Sequence, residues 1–107
     1  MIVRKKKMVL CKARHNHAEM DLLESVFPST IDPFDFTEMH ETVCKKLANV
    51  DFLELYVTGL TPALVAVLNY CTWNGIPCKL WHFNKRTGQY TQQATMCSVL
   101  KIKGGMK

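Results

Sequence analysis

The chain reads as a small α/β sandwich with a parallel centre and an antiparallel hairpin at one edge. Three observations predict this. Residues 51 to 83 run strand, helix, strand, and the helix is long enough for the crossover that parallel neighbours need. A turn-forming run, Asn84-Lys85-Arg86-Thr87-Gly88, follows the second strand and sends the chain back on itself. The 107 residues allow a single modest core, so the sequence is read as one domain over 1–107, with a basic start over 1–7 and a frayed tail over 103–107.

The amino-terminal half is read as follows. Met8 to Ala13 leans apolar and predicts a first strand, and the lysines on both sides of it suggest a place near a sheet edge. His15 to His17 turns the chain. Ala18 to Phe27, with Met20, Leu22, Leu23, Val26 and Phe27, predicts a short helix ended by Pro28. Two prolines make 28–34 a loop. Asp35 with Glu38 three residues on has the form of a capping box. Phe36, Met39, Val43 and Leu47 follow at helical spacing, and Lys45 and Lys46 suit the negative end of the helix dipole.

In the second half, Phe52 to Val57 is rich in Leu, Tyr and Val and is bounded by Asp51 and Gly59, which predicts a strand. Thr61 is the expected N-cap and Pro62 the first residue of the next helix. Ala63 to Trp73 is apolar on nearly every side, so this helix is expected to be deeply packed until Asn74-Gly75 stops it. Ile76 to Phe83 predicts a strand with Pro77 at its beginning. Within it Trp81 and Phe83 alternate with Leu80 and His82, as in a strand covered on both faces. Gln89 to Gln93 predicts the hairpin's return strand, and Thr95 to Ile102 a further one. Most of the aromatics Tyr56, Tyr70, Trp73, Trp81 and Phe83 are expected in the core. Taken together, these elements predict a Rossmann-like domain of two or three layers.

Composition sets limits on function. Hydrophobic residues make up 48% and charged residues 21%, ordinary values for a globular protein. The net charge of +5 and the isoelectric point near 9.0 suit an anionic partner as well as ordinary solubility. The five cysteines are odd in number and include no Cys-x-x-Cys, which reads as reduced thiols of a cytoplasmic protein. The basic start is followed by only Met8-Val9-Leu10 before polarity returns, too short for a secretory signal, and no apolar stretch has transmembrane length. The chain is therefore expected to have no membrane partner.

The stretch Tyr56-Val57-Thr58-Gly59-Leu60-Thr61-Pro62-Ala63-Leu64 attracts attention because small polar residues separate two apolar segments. In open α/β sheets ligands gather at the carboxyl ends of the strands. A turn there that opens a helix presents free backbone N–H groups and the positive end of a dipole, which favour an anion. Gly59 allows close approach, Thr58 and Thr61 offer hydroxyls, and Leu60 sits between them. His82, Asn84, Lys85 and Arg86 are expected at the same end of the sheet and would add charge and a titratable group. The plain alternative is a tight strand-to-helix turn beside a solvated hairpin tip.

The run Thr58-Gly59-Leu60-Thr61-Pro62, ending a strand and opening an apolar helix, resembles the nucleotide-sensing loop of CRISPR-associated Rossmann-fold domains and of related small ring-nuclease-like proteins. The resemblance covers residues 53 to 83. It implies a homodimer with a cyclic oligonucleotide across the two-fold axis, held in part by Thr58, Gly59 and Thr61. The chain is shorter than that pattern, and its first strand lacks a glycine loop.

Other constellations carry less. His40 and Cys44 stand one helical turn apart, a spacing that can hold zinc, and Cys11, His15 and His17 form C-x3-H-x-H. A surface histidine, a core thiol and a polar loop account for the same residues, so neither a metal nor any other cofactor is expected. Arg4-Lys5-Lys6-Lys7 with Lys12 and Arg14 is a basic patch able to meet nucleic-acid phosphates, but no aromatic residue interleaves with it as a single-strand platform requires. The expected function is binding of a phosphate-bearing small molecule, a nucleotide or cyclic oligonucleotide, as sensor or sponge. The alternative is a basic interaction or nucleic-acid-binding accessory protein. Enzymatic activity is left open.

Overall fold

The computed structural model describes residues 3–11, 23–28 and 30–95. Five strands form one sheet: β1 Lys5–Cys11, β2 Glu24–Phe27, β3 Phe52–Tyr56, β4 Cys78–Asn84 and β5 Gln89–Ala94. Their order across the sheet is β2-β1-β3-β4-β5. β1 runs parallel to β2 and to β3, and β3 runs parallel to β4. β5 returns antiparallel to β4 as a hairpin at the edge. Two helices are described, α1 Phe36–Lys46 and α2 Thr61–Trp73. This is the parallel-centred α/β sheet with an antiparallel edge that the sequence predicts, and it suits a small Rossmann-like fold.

The core follows from two periodicities. On α1, Met39 and Val43 lie on one face, and Leu47 follows at its end; all three are fully buried. On β3, Leu53 and Leu55 are fully buried while Phe52, Glu54 and Tyr56 alternate to the other side. The two helices pack on each other and share one cluster with Met8, Leu10, Leu53, Leu55 and Leu80. They therefore cover the same face of the sheet. The Asp35 carboxylate caps α1 by accepting the Glu38 amide at 3.0 Å.

Several expectations change. Glu24–Phe27 is a parallel strand rather than the end of a helix, because Val26 and Phe27 fill the space beside β1; residues 18–22 of the expected helix lie outside the described residues. β1 is not an edge strand but lies between β2 and β3. Its lysines are accommodated because Lys5 reaches Glu54 at 3.6 Å and Lys6 reaches Glu24 at 3.0 Å while both side chains stay partly exposed. α2 is covered on one side only: Ala63, Val67 and Cys71 are buried, but Val65 is 47% and Trp73 90% exposed. Leu60, not Thr61, occupies the N-cap position of α2 and supplies no side-chain bond; Thr61 is the first helical residue and Pro62 the second.

Gly75 ends α2 with φ 66°, and Gly88 ends the hairpin turn with φ 71°, as the sequence suggests. The Thr95 amide bonds the Cys78 carbonyl at 3.2 Å; the rest of the strand expected over 95–102, and the tail, lie outside the described residues. Cys44 and Cys71 are free thiols, Cys11 is half-buried and Cys78 buried, and Cys97 is outside the described residues. Among the described residues no helix is long and apolar enough to cross a membrane.

Candidate functional site

The carboxyl end of the sheet holds the residues singled out in the sequence. The last bond between β3 and β4 runs from the Val57 amide to the Trp81 carbonyl at 2.9 Å. The chain then leaves the sheet through Thr58 and Gly59 into α2. Gly59 takes φ 66°, and no atom lies within 4 Å of where a Cβ would stand, so the turn faces open space. Thr58, however, is already engaged. Its hydroxyl accepts the Cys11 amide at 3.1 Å and donates to the Cys11 carbonyl at 3.0 Å. That side chain ties β1 to β3 and is not turned to a ligand.

The remaining candidates sit nearby without converging on one hollow. His82 Nε2 and Gln93 Oε1 are 2.7 Å apart across the β4–β5 pair. Asn84 Oδ1 accepts the Arg86 amide at 2.9 Å, which shapes the hairpin turn. Lys85 and Arg86 are exposed at its tip and make no ion pair among the described residues. Thr61 belongs instead to a groove of about 430 Å³ between the two helices, with Phe36, His40, Pro62, Val65 and Asn69. In that groove's wall His40 Nε2 stands 3.5 Å from Cys44 Sγ, both on α1. Among the described residues no three His, Cys, Asp or Glu side chains gather to hold a metal ion; His15 and His17 lie outside them.

Charge concentrates at the opposite, amino end of the sheet. Among the described residues, a cleft of about 390 Å³ is lined by Arg4, Lys5, Lys6, Lys45 and Lys46 around one carboxylate, Glu24. Topology brings them together. A helix joining parallel strands starts at their carboxyl end and returns to their amino end, so the last turn of α1 comes down beside the first residues of β1 and β2. Lys6 reaches Glu24 at 3.0 Å and Lys46 reaches it at 3.4 Å. The hydrogen bond from Lys6, aided by Lys46 and opposed by partial desolvation, holds the Glu24 carboxyl below its ordinary range. Just before β1, Arg4 is fixed through its backbone, its amide donating to Asp51 Oδ2 at 2.9 Å. Among the described residues Glu24 faces five cations, of which Lys5 also reaches Glu54 at 3.6 Å, and the remaining excess of positive charge comes from residues that the sequence alone assigns to a tail and to a helix dipole.

No protein-family model, curated protein or solved structure matches this chain. The functional reading therefore rests on the geometry.

Proposed function

We propose that this chain binds the phosphate backbone of a nucleic acid through the basic cleft at the amino end of the sheet, acting as an accessory binding protein. The observation that supports the reading is the convergence of Arg4, Lys5, Lys6, Lys45 and Lys46 on one cleft in which Glu24 is the one opposing carboxylate among the described residues. Like charges from separate segments repel, so their gathering costs stability unless an anion neutralises them. Glu24 neutralises one and Glu54, 3.6 Å from Lys5, neutralises a second, which leaves an excess of three.

That excess sets the test. If three phosphates are neutralised, the affinity for a single strand falls with salt at a log–log slope of about −2.1, or about twentyfold between about 50 and 200 mM. Lys45→Gln with Lys46→Gln removes two contacts, and the same change in salt then costs about threefold. Fluorescence anisotropy of a labelled oligonucleotide measures both slopes. Equal slopes for the two proteins, or no binding at low salt, would remove the cleft from the reading.

A second reading keeps its own support. The Gly59 turn is exposed, parallel strands flank it, and α2 begins there without a side-chain cap. A phosphate-bearing small ligand, a nucleotide or a cyclic oligonucleotide shared between two copies, would bind there through backbone amides, with Lys85 and Arg86 nearby. Thermal-shift screening against such compounds separates the two readings. Stabilisation that survives Lys45→Gln and Lys46→Gln would favour the turn.

A further inference from the structure

We propose that Trp73 is the base-stacking residue of the basic cleft and that the cleft therefore takes single-stranded nucleic acid, an inference that rests on the cleft reading and names its partner. Trp73 is the last residue of α2 and is 90% exposed. Its ring meets no other ring and no cation among the described residues. The backbone beneath it is fixed. Asn74 Nδ2 and the Asn74 amide both donate to the Tyr70 carbonyl, at 2.9 and 3.0 Å, and the Ile76 amide donates to the Cys71 carbonyl at 2.8 Å. An indole left in water on a fixed helix end is preorganised for a flat partner.

Helix packing places the ring beside the cleft. α1 and α2 pack side by side, and each leads from the carboxyl end of the sheet to its amino end. Near their ends the Tyr70 phenol lies close to the Cys44 thiol, which adds to burial in pushing the phenol's pKa up. Trp73 and Leu47 each stand three residues further on, so the ring comes level with the turn that gives Lys45, Lys46 and Ala48 to the cleft. It is also on the matching side of α2. Pro62, Ala66 and Asn69 line the groove against α1, and Trp73 stands one turn beyond Asn69 and two beyond Ala66, on the same face. Packed helices lie about 8–10 Å apart, a distance that a strand crosses well within the about 4–16 nucleotides that a small single-strand domain covers.

The surroundings choose the partner. Between Glu54 and Lys79 the chain carries no charged residue, so neither α2 nor the turn after it sets a carboxylate beside the indole. The cations line a hollow, with Lys6 3.0 Å and Lys46 3.4 Å from the Glu24 carboxylate between them. A flexible phosphodiester backbone enters such a hollow, whereas a planar headgroup surface meets only its rim. A duplex keeps its bases stacked inside and has none to offer to Trp73. A single strand supplies both parts: phosphates for the cleft, and a base with a free face for the indole.

The experiment uses the full chain carrying Trp81→Phe, which leaves Trp73 as the sole indole. The probes are an oligothymidylate of about a dozen nucleotides, a duplex of matching length, and vesicles of phosphatidylserine in phosphatidylcholine. The expected result is quenching of Trp73 emission by the single strand and weaker binding of the duplex at equal salt. Trp73→Ala should weaken the single strand about tenfold, about 1.4 kcal/mol, with an unchanged salt slope and little effect on the duplex, while Trp73→Tyr retains most of the affinity. Because the ring is exposed, both variants should unfold at the parent's midpoint. Parental single-strand affinity in Trp73→Ala, with the salt slope still lowered by Lys45→Gln and Lys46→Gln, would overturn the stacking role and leave the cleft. Equal losses for single strand and duplex on Trp73→Ala would do the same. Binding of neither oligonucleotide would overturn both. Vesicle binding without oligonucleotide binding would assign this end of the molecule to a lipid surface and likewise overturn both.

Discussion

Thr58→Val tests whether the residue at the head of the candidate turn belongs to the fold or to a ligand. Val9 and Tyr56 form the last backbone pair between β1 and β3. Two residues further along each strand, at Cys11 and Thr58, a side chain takes over the ladder. One hydroxyl receives the Cys11 amide at 3.1 Å and gives its proton to the Cys11 carbonyl at 3.0 Å. Valine keeps the shape and loses both bonds. Two neutral hydrogen bonds contribute about 2 kcal/mol net, and the partial burial of the site lets water recover some of that, so the expected loss is about 1–2 kcal/mol. For a chain near this size, that lowers the melting midpoint by about 5–15 °C. Thr58→Ser keeps the hydroxyl and should melt close to the parent. Circular dichroism on heating, with urea titration at one pH, measures the difference. A Thr58→Val protein as stable as the parent would refute the reasoning, as would a Thr58→Ser protein as unstable as the valine variant. If stability held while phosphate-ligand affinity fell, the hydroxyl would belong to a ligand.

Two further outcomes follow from the same contacts. Asp35→Ala leaves the Glu38 amide without its cap and should cost about 1 kcal/mol in urea unfolding. Glu24→Gln concerns pH. Because the Glu24 carboxyl is held below its ordinary value of 4.5, first by the Lys6 hydrogen bond, its contribution is present above that value and is lost as pH falls through the lower folded value. The glutamine variant should therefore lose less stability on acidification at low salt, by a small margin since the side chain is 45% exposed, and should bind oligonucleotide more tightly.

The run from β3 to β5 was legible because punctuation brackets it. Asp51 and Gly59 frame β3, Asn74-Gly75 ends α2, and Gly88 closes the hairpin, each with a local conformation that few other residues supply. β2 was misread for the opposite reason. Four residues with two apolar ones at the end fit either period, and pairing with β1 decides the matter over a distance that no local pattern records. The depth of α2 was overread because hydrophobicity on all sides does not reveal how many sides have neighbours; Trp73 and Val65 are apolar and exposed.

The basic run at the start shows why the candidate site was harder to see than the fold. Read along the chain, Arg4-Lys5-Lys6-Lys7 has no aromatic among its neighbours and resembles a solvated tail. Folded as a strand, the run splits, because successive side chains point to opposite faces. Lys6 turns to the helix side, where Glu24 and Lys46 meet it in the cleft. Lys5 and Lys7 turn to the other side, where their neighbours across the sheet are Phe52 and Glu54. Neighbours across strands stand about 4.8 Å apart however far apart they are in sequence, so aromatics that do not interleave with the lysines along the chain interleave with them across the sheet. A central position for β1, which its lysines argue against when taken one by one, is what puts a single run of cations on both faces of the sheet.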